Sequence, residues 1–314
     1  MFKVLISDNM DAKAQEVFIK NNIDVDIKTG LNEEELIELI PNYNALLVRS
    51  ATKVTSKIIS AGNNLKVIGR AGSGVDNIDL ESAKKNNIIV MNTPGANSNA
   101  TAEHTLALIL SILRKIPLSN KSTHEGKWEK KSIKGNELSK KVIGLVGLGN
   151  VSLRLIELLE GFNVKILIYS NSFEKRKISL SNISNVSNLS LNELLSESDI
   201  LSFHCKSSMD GIPFINSNEL KKMKKTAYII NTSRGNIINE NDLNEALNNN
   251  LLAGAALDVF SKEPAVKNIL FKNPKVILTP HIAASTFEAQ IKVAEMIALQ
   301  VCDYLVNNKI VNTV

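Results

Sequence analysis

Short apolar runs alternate along the chain with longer segments whose apolar residues recur at helical spacing. That alternation is the pattern of parallel strands joined by helices. Residues 2–7 read as a buried strand and 12–21 as the helix that follows it. Further strands are predicted at 45–48, 65–69 and 88–91. Over 93–97 the sequence changes to Thr93, Pro94, Gly95, Ala96 and Asn97, which is turn chemistry. A long apolar helix is predicted over 101–116, with Leu106, Leu110 and Leu113 on one stripe. Ser98 or Asn99 is its expected cap, Glu103 sits in its first turn, and Pro117 is its expected stop. A helix this apolar is expected to be buried between two bodies, as the first crossing between domains.

A second series of strands starts after Lys141, at 142–146, 164–169, 200–204, 228–232, 254–258 and 276–279. The chain closes with an amphipathic helix over 289–307, whose stripe is Ile291, Ala294, Ile297, Val301 and Leu305. The first series lacks a finish, so this helix is expected to return and complete it. One nucleotide-binding domain would then be inserted between two halves of another.

Composition narrows the class. Of 314 residues, 44% are hydrophobic and 22% charged, which excludes a mainly disordered, collagenous or disulfide-stapled chain. Thirty-seven basic against 32 acidic residues leave a formal charge of +5. That mild, dispersed excess favours small anions and makes only a weak case for nucleic acid. The lysine-rich stretches at 127–131 and 221–225 read as solvated surface. Cys205 and Cys302 lack any CxxC or Cys/His ligand spacing, so both are expected to be reduced, packed thiols in a reducing compartment. The N-terminal apolar run is too short for a signal peptide, and no window reaches 18 uncharged apolar residues. A cytoplasmic protein of enzyme size is expected.

Candidate chemistry begins where the 142–146 strand runs into Gly147-Leu148-Gly149-Asn150-Val151-Ser152. Gly147 permits a tight turn, Gly149 lets backbone approach a pyrophosphate, and the next helix points its N–H groups at the anion. Gly161 is the expected residue just past that helix. Two positions depart from the full dinucleotide fingerprint. Ser152 replaces the third glycine, and Ser170 stands where an acidic residue would meet the ribose. A serine hydroxyl can still bond a ribose oxygen and does not repel a 2′-phosphate, and Lys175 and Arg176 follow.

Three later strands end in polar residues: Arg234 after Ser233, Glu263 before Pro264, and His281 after Pro280. In an open parallel sheet the carboxyl ends of strands share one rim. Arg234 offers a fork suited to a carboxylate, His281 can exchange a proton near neutrality, and Glu263 can hold its ring. Alone, each also reads as surface charge, loop solvation or packing; their coincidence beside a dinucleotide loop favours chemistry. His104 reads as packing or capping within its helix, His124 as exposed, and His204 as a residue that can touch a cofactor. Metal-ligand spacing is lacking, so no metal is expected.

At these residues the chain resembles the D-2-hydroxyacid dehydrogenase family, and its phosphoglycerate-type members in particular, over nearly its whole length. The matching stretches are Val48-Arg49-Ser50-Ala51-Thr52-Lys53-Val54-Thr55, the Gly69-Arg70-Ala71-Gly72-Ser73-Gly74-Val75-Asp76-Asn77 loop, Met91-Asn92-Thr93-Pro94 and Gly126-Lys127-Trp128-Glu129, besides the Arg234, Glu263 and His281 segments. The resemblance implies an α/β fold of two doubly wound parallel-sheet domains. A Rossmann dinucleotide-binding domain (98–286) would be inserted into a discontinuous, flavodoxin-like substrate-binding domain (1–97 and 287–314). It implies NAD as cofactor, with NADP admitted by Ser170, and hydride transfer at C2 of a phosphorylated 2-hydroxy acid, 3-phosphoglycerate.

By the same resemblance His281 is the acid/base, Glu263 its orienting partner and Arg234 the carboxylate anchor. Gly147, Gly149, Asn150, Val151, Ser170, Cys205, Thr232, Ser233, Ala283 and Ala284 would line the cofactor, and Asp258 would meet its nicotinamide carboxamide. Arg49, Arg70, Gly72, Ser73, Gly74 and Asn97 would hold substrate, with the two arginines on its phosphate and an anion nest over 72–74. Departures cluster in the cofactor domain: Ser152, Ser170, His204-Cys205-Lys206 where a His-x-Pro is usual, and Gly211 for a threonine. Ala96 stands where a glycine is common. Two other activities stay open, an NADPH-dependent glyoxylate or hydroxypyruvate reductase and a dinucleotide-sensing binding protein. A homodimer is expected, with no nucleic-acid or membrane partner and no C-terminal regulatory module after Val314.

Overall fold

The computed structural model describes residues 2–180, 186–208 and 210–314. The chain folds as two compact units, one of Met1–Asn97 with Ala284–Val314, the other of Ser98–Ala283.

The first unit starts β1 (Lys3–Ile6), α1 (Lys13–Lys20), β2 (Asp24–Ile27), α2 (Glu33–Leu39), β3 (Ala45–Val48), α3 (Ser56–Ala61), β4 (Val67–Arg70), α4 (Leu80–Lys85) and β5 (Ile89–Met91). Its strands pair in parallel in the order β2-β1-β3-β4-β5, the flavodoxin-like winding. Helices cover both faces, so an inner strand must be apolar on both sides; all four residues of β3, Ala-Leu-Leu-Val, are buried. On one face Leu5, Leu46 and Ile68 pack with Leu36, Ile58 and Ile59.

The second unit runs α5 (Ser98–Leu113), α6 (Ile116–His124), β6 (Val142–Val146), α7 (Asn150–Leu159), β7 (Lys165–Tyr169), α8 (Phe173–Arg176), β8 (Val186–Asn188), α9 (Leu191–Glu197), β9 (Ile200–Phe203), α10 (Ser217–Leu220), β10 (Tyr228–Asn231), α11 (Glu240–Asn248), β11 (Gly254–Leu257) and β12 (Val276–Leu278). Its sheet is also parallel, in the order β12-β11-β10-β9-β6-β7-β8. Winding reverses between β6 and β9, and the crevice outside the carboxyl ends of strands at such a reversal is where this architecture binds ligands.

The last helix, α12 (Phe287–Asn307), buries Val293, Ala294, Ile297, Val301 and Leu305 in the first unit's core with Val4, Phe18 and Leu47. The first unit is thus closed by the far end of the chain, and the fold is α/β with two doubly wound parallel sheets.

Four local expectations are corrected. The helix expected over 101–116 starts earlier and stops at Leu113; Lys115 is left-handed (φ 52°) and Pro117 lies in the first turn of α6. Proline's missing N–H costs nothing in a first turn, so Pro117 begins a helix instead of stopping one. Ser98 and Asn99 lie inside α5, where Asn99 Nδ2 donates to Glu103 Oε1 at 2.7 Å. Ile291 is 43% exposed and leaves the buried stripe of α12. The left-handed residue after α7 is Asn163 (φ 54°), and Gly161 lies within a short 3-10 turn. Edge strands β2 and β8 join those expected. No helix among the described residues is long and apolar enough to cross a membrane.

Candidate active site

At the end of β6, Gly147 turns the chain at φ 97°. A Cβ there would lie 2.6 Å from the carbonyl oxygen of His204, so only glycine lets β6 and the segment after β9 run this close. A Cβ on Gly149 would meet only that oxygen, at 4.0 Å, leaving the loop surface bare. Gly149 is also the N-cap of α7 and has no side chain to cover the first amides. A bare glycine loop leading into a ten-residue helix fits a pyrophosphate.

Asn150 and Val151 open α7, and Arg176 Nη1 donates to Asn150 Oδ1 at 3.0 Å, adding a cation at this helix start. Ser152 is buried and donates to the Gly147 carbonyl at 2.7 Å. Ser170 follows β7, its hydroxyl accepting the Ser172 amide at 3.2 Å. Burial pushes the His204 imidazole down to about 4 and the Cys205 thiol up to about 11, so neither carries charge near neutrality. Burial likewise pushes Cys302 up to about 12.

His281 Nδ1 lies 2.6 Å from Glu263 Oε2, and Glu263 Oε1 accepts the Phe260 amide at 2.9 Å. The hydrogen bond that His281 donates to Glu263 raises the His281 pKa above its ordinary value; burial opposes the rise, and Arg234's charge also pulls the other way. Burial raises the Glu263 carboxyl, but the His281 bond and the Phe260 amide outweigh it and hold the group low. Arg234 leaves β10 with Nη1 on the Ser233 carbonyl at 2.7 Å, while Asn231 Nδ2 donates to the Arg234 carbonyl at 2.9 Å. A Cβ on the next residue, Gly235, would come within 1.9 Å of Phe260 backbone, so glycine is what lets the Arg234 turn reach the Glu263 loop. The structure therefore brings Arg234, Glu263 and His281 together.

Beneath this pair, Asp258 is fully buried. Its Oδ1 accepts Thr279 Oγ1 at 2.6 Å and the Ile282 amide at 2.9 Å, and its Oδ2 accepts the Ala283 amide at 2.8 Å. Burial raises its carboxyl, but bonds from His104, Thr279 and the two amides hold it below the ordinary value. His104, read from sequence as packing, reaches from α5 to Thr279 Oγ1 at 3.1 Å and Asp258 Oδ1 at 3.5 Å. Helical spacing carried no sign of these partners, which lie over 150 residues downstream. Thr105, one residue on, shares a 2.8 Å hydroxyl contact with Thr232, and Ser233 Oγ donates to the Cys205 carbonyl at 2.5 Å.

The expected substrate residues lie in the first unit. The Arg49 amide donates to Asp8 Oδ2 at 2.6 Å, and its guanidinium reaches the Asn9 carbonyl at 3.1 Å. Burial lowers the Arg49 pKa while Asp8 counters it. Arg49, Ser285, Thr286, Phe287 and Gln290 line an open cavity of about 310 Å³. Arg70 folds over Gly72, ahead of half-buried Gly74, and Ser73 Oγ donates to Asn97 Oδ1 at 3.0 Å. Ala284 falls in this unit, its carbonyl accepting Gln290 Nε2 at 2.9 Å.

Residues 106–283 match the family model of the D-isomer specific 2-hydroxyacid dehydrogenase, NAD binding domain. The chain is 44% identical over 305 residues to a D-3-phosphoglycerate dehydrogenase of Synechocystis sp., covering 97% of this chain and 54% of that one. It is 41% identical to a D-3-phosphoglycerate dehydrogenase of Archaeoglobus fulgidus, covering 94% and 56%. It spans about half the length of the curated relatives it matches. Among solved structures, the NAD+-bound 3-phosphoglycerate dehydrogenase of Entamoeba histolytica superposes with a TM-score of 0.83 at 28% identity, over 100% of this chain and 98% of that one. By its matched NAD binding domain, which covers more than half its length, the chain belongs to the D-isomer specific 2-hydroxyacid dehydrogenase family.

Proposed function

We propose that the protein is an NAD-linked D-3-phosphoglycerate dehydrogenase, oxidising 3-phosphoglycerate at C2 to 3-phosphohydroxypyruvate. The observation that carries this reading is the His281–Glu263 pair beside Arg234, in a chain whose curated relatives at 44% and 41% identity bear that name. Bound NAD supplies the hydride acceptor. Glu263 holds the Nδ1 side of the His281 ring, which leaves Nε2 to take the C2 hydroxyl proton during oxidation and return it during reduction. Arg234 presents a planar fork to the substrate carboxylate. In this reading the second unit is the dinucleotide-binding domain. The first is the substrate domain, with Arg49, Arg70 and the amides of 72–74 given to the phosphate. Exposed Leu118 and Trp128 support a homodimer, and two cysteines without a disulfide suit a reducing cytoplasm.

The test is reduction of 3-phosphohydroxypyruvate by NADH, followed by loss of absorbance. Turnover that His281→Ala abolishes is expected. No turnover, or equal turnover in the variant, overturns the reading. A second reading, an NADPH-linked glyoxylate or hydroxypyruvate reductase, is favoured by Ser170 and by Arg176 held at Asn150. Preference for NADPH with unphosphorylated substrates would select it.

A further inference from the structure

His281 sits at φ 54°, the left-handed region that a non-glycine residue rarely occupies. Something must hold it there, and its sequence neighbours show what. The next two amides, of Ile282 and Ala283, both end on the buried Asp258 carboxylate, and so does the hydroxyl of Thr279, two residues earlier. An ionised carboxylate only accepts, so the single Thr279 hydroxyl proton points at Asp258. The Thr279 oxygen is then an acceptor toward α5, and His104 Nε2, 3.1 Å away, must carry the proton that meets it. The chain of donors runs from His104 through Thr279 to Asp258, and the same carboxylate grips the turn on the other side of His281.

We propose that His104 is a positioning residue. From α5 it fixes Thr279 and Asp258, and through them the left-handed backbone that presents the His281 ring to Glu263. This rests on the reading of His281 as the acid/base and adds a residue which that reading does not use. The groups facing His104 are Asp258 and Thr279; those acting on His281 are Glu263, Asp258 and Arg234.

The test follows imidazole proton resonances against pH in the protein without cofactor. The chain has four histidines, and His281→Ala identifies the one that matters. His104→Leu is expected to lower the His281 midpoint by about half a pH unit as the Glu263 contact loosens. Loss of a nearby positive charge alone would instead raise it, so the sign separates positioning from charge. In turnover of 3-phosphohydroxypyruvate, the same variant is expected to lose about tenfold in kcat with little change in KM. His104→Gln, whose amide can donate to Thr279, is expected to restore both. Should His104→Leu fail to fold, Thr279→Val carries the same midpoint prediction. An unmoved His281 midpoint, or a glutamine variant as damaged as the leucine one, overturns the proposal. A wild type without turnover, in which the midpoint still moves, would overturn the proposed activity and leave this inference standing.

Discussion

The Ser152 hydroxyl donates to the carbonyl of Gly147 at 2.7 Å, tying the first turn of α7 to the glycine turn before it. A buried serine without a partner would cost stability; this one spends its proton on the loop it stands beside. Ser152→Ala is expected to lose about 1 kcal/mol in denaturant unfolding. Ser152→Gly restores the fingerprint residue, yet is expected to fall about 1 kcal/mol further through lost helix propensity. A glycine variant as stable as the wild type would show that the hydroxyl contributes nothing.

The Glu263–His281 pair sets a pH window. The His281 pKa is raised above 6.5, so its contribution to stability is complete below that value and disappears as pH climbs through the raised one. The Glu263 pKa is lowered below 4.5, so its contribution is present above that value and is lost as pH falls through the depressed one. In the proposed reaction reduction needs the protonated ring, so kcat/KM for 3-phosphohydroxypyruvate is expected to fall as pH passes the raised midpoint. Glu263→Gln removes the main cause of the rise. The falling limb should move to lower pH, with kcat down by about tenfold or more. A profile that stays in place in the variant would detach Glu263 from the titration.

Much of this arrangement is legible in the residues alone, and the gaps have physical causes. β3, β6 and β9 are inner strands whose apolar runs announce themselves, with no break at a solvent face. β2, Asp24–Ile27, is an edge strand with no residue fully buried, so its sequence carries little apolar signal. Pro117 misleads because the same ring that stops a helix is welcome in the first turn of another. The Arg234, Glu263 and His281 segments could be placed on one rim because strand ends in a parallel sheet share it. His104 could not: its partners Thr279 and Asp258 directly follow β12 and β11, and only folding brings them to α5.

Asp258 collects two amides and a hydroxyl with no exposed surface, so its replacement should be among the costliest in the second unit. In Asp258→Asn the amide nitrogen replaces one oxygen and faces either the Ala283 amide or both the Thr279 hydroxyl and the Ile282 amide, leaving at least one donor unmet. A loss of about 3 kcal/mol is expected in denaturant unfolding. The carboxylate is held below 3.8, so its contribution is present above that pH and vanishes as pH falls through the lower folded value. The asparagine variant should therefore also lose part of the wild type's acid sensitivity. A variant within about 0.5 kcal/mol of wild type would mean that the loop finds other acceptors.

In the proposed cofactor site, Ser170 is the residue expected to set which nucleotide is tolerated. It stands at the end of β7, where a carboxylate would both hold the ribose hydroxyls and repel a 2′-phosphate, and Arg176 is already drawn to the start of α7 through Asn150. The wild type is therefore expected to bind NADH and NADPH with Kd values within about tenfold of each other in calorimetric titration. Ser170→Asp restores a carboxylate and should weaken NADPH by about tenfold or more through like-charge repulsion, while NADH holds or tightens. Arg176→Ala should weaken NADPH more than NADH, because the guanidinium can pair with the extra phosphate and has no equivalent partner on NADH. Equal changes for both nucleotides in both variants would place Ser170 and Arg176 away from the ribose, and the difference between the two activities considered above would have to be sought in the substrate residues instead.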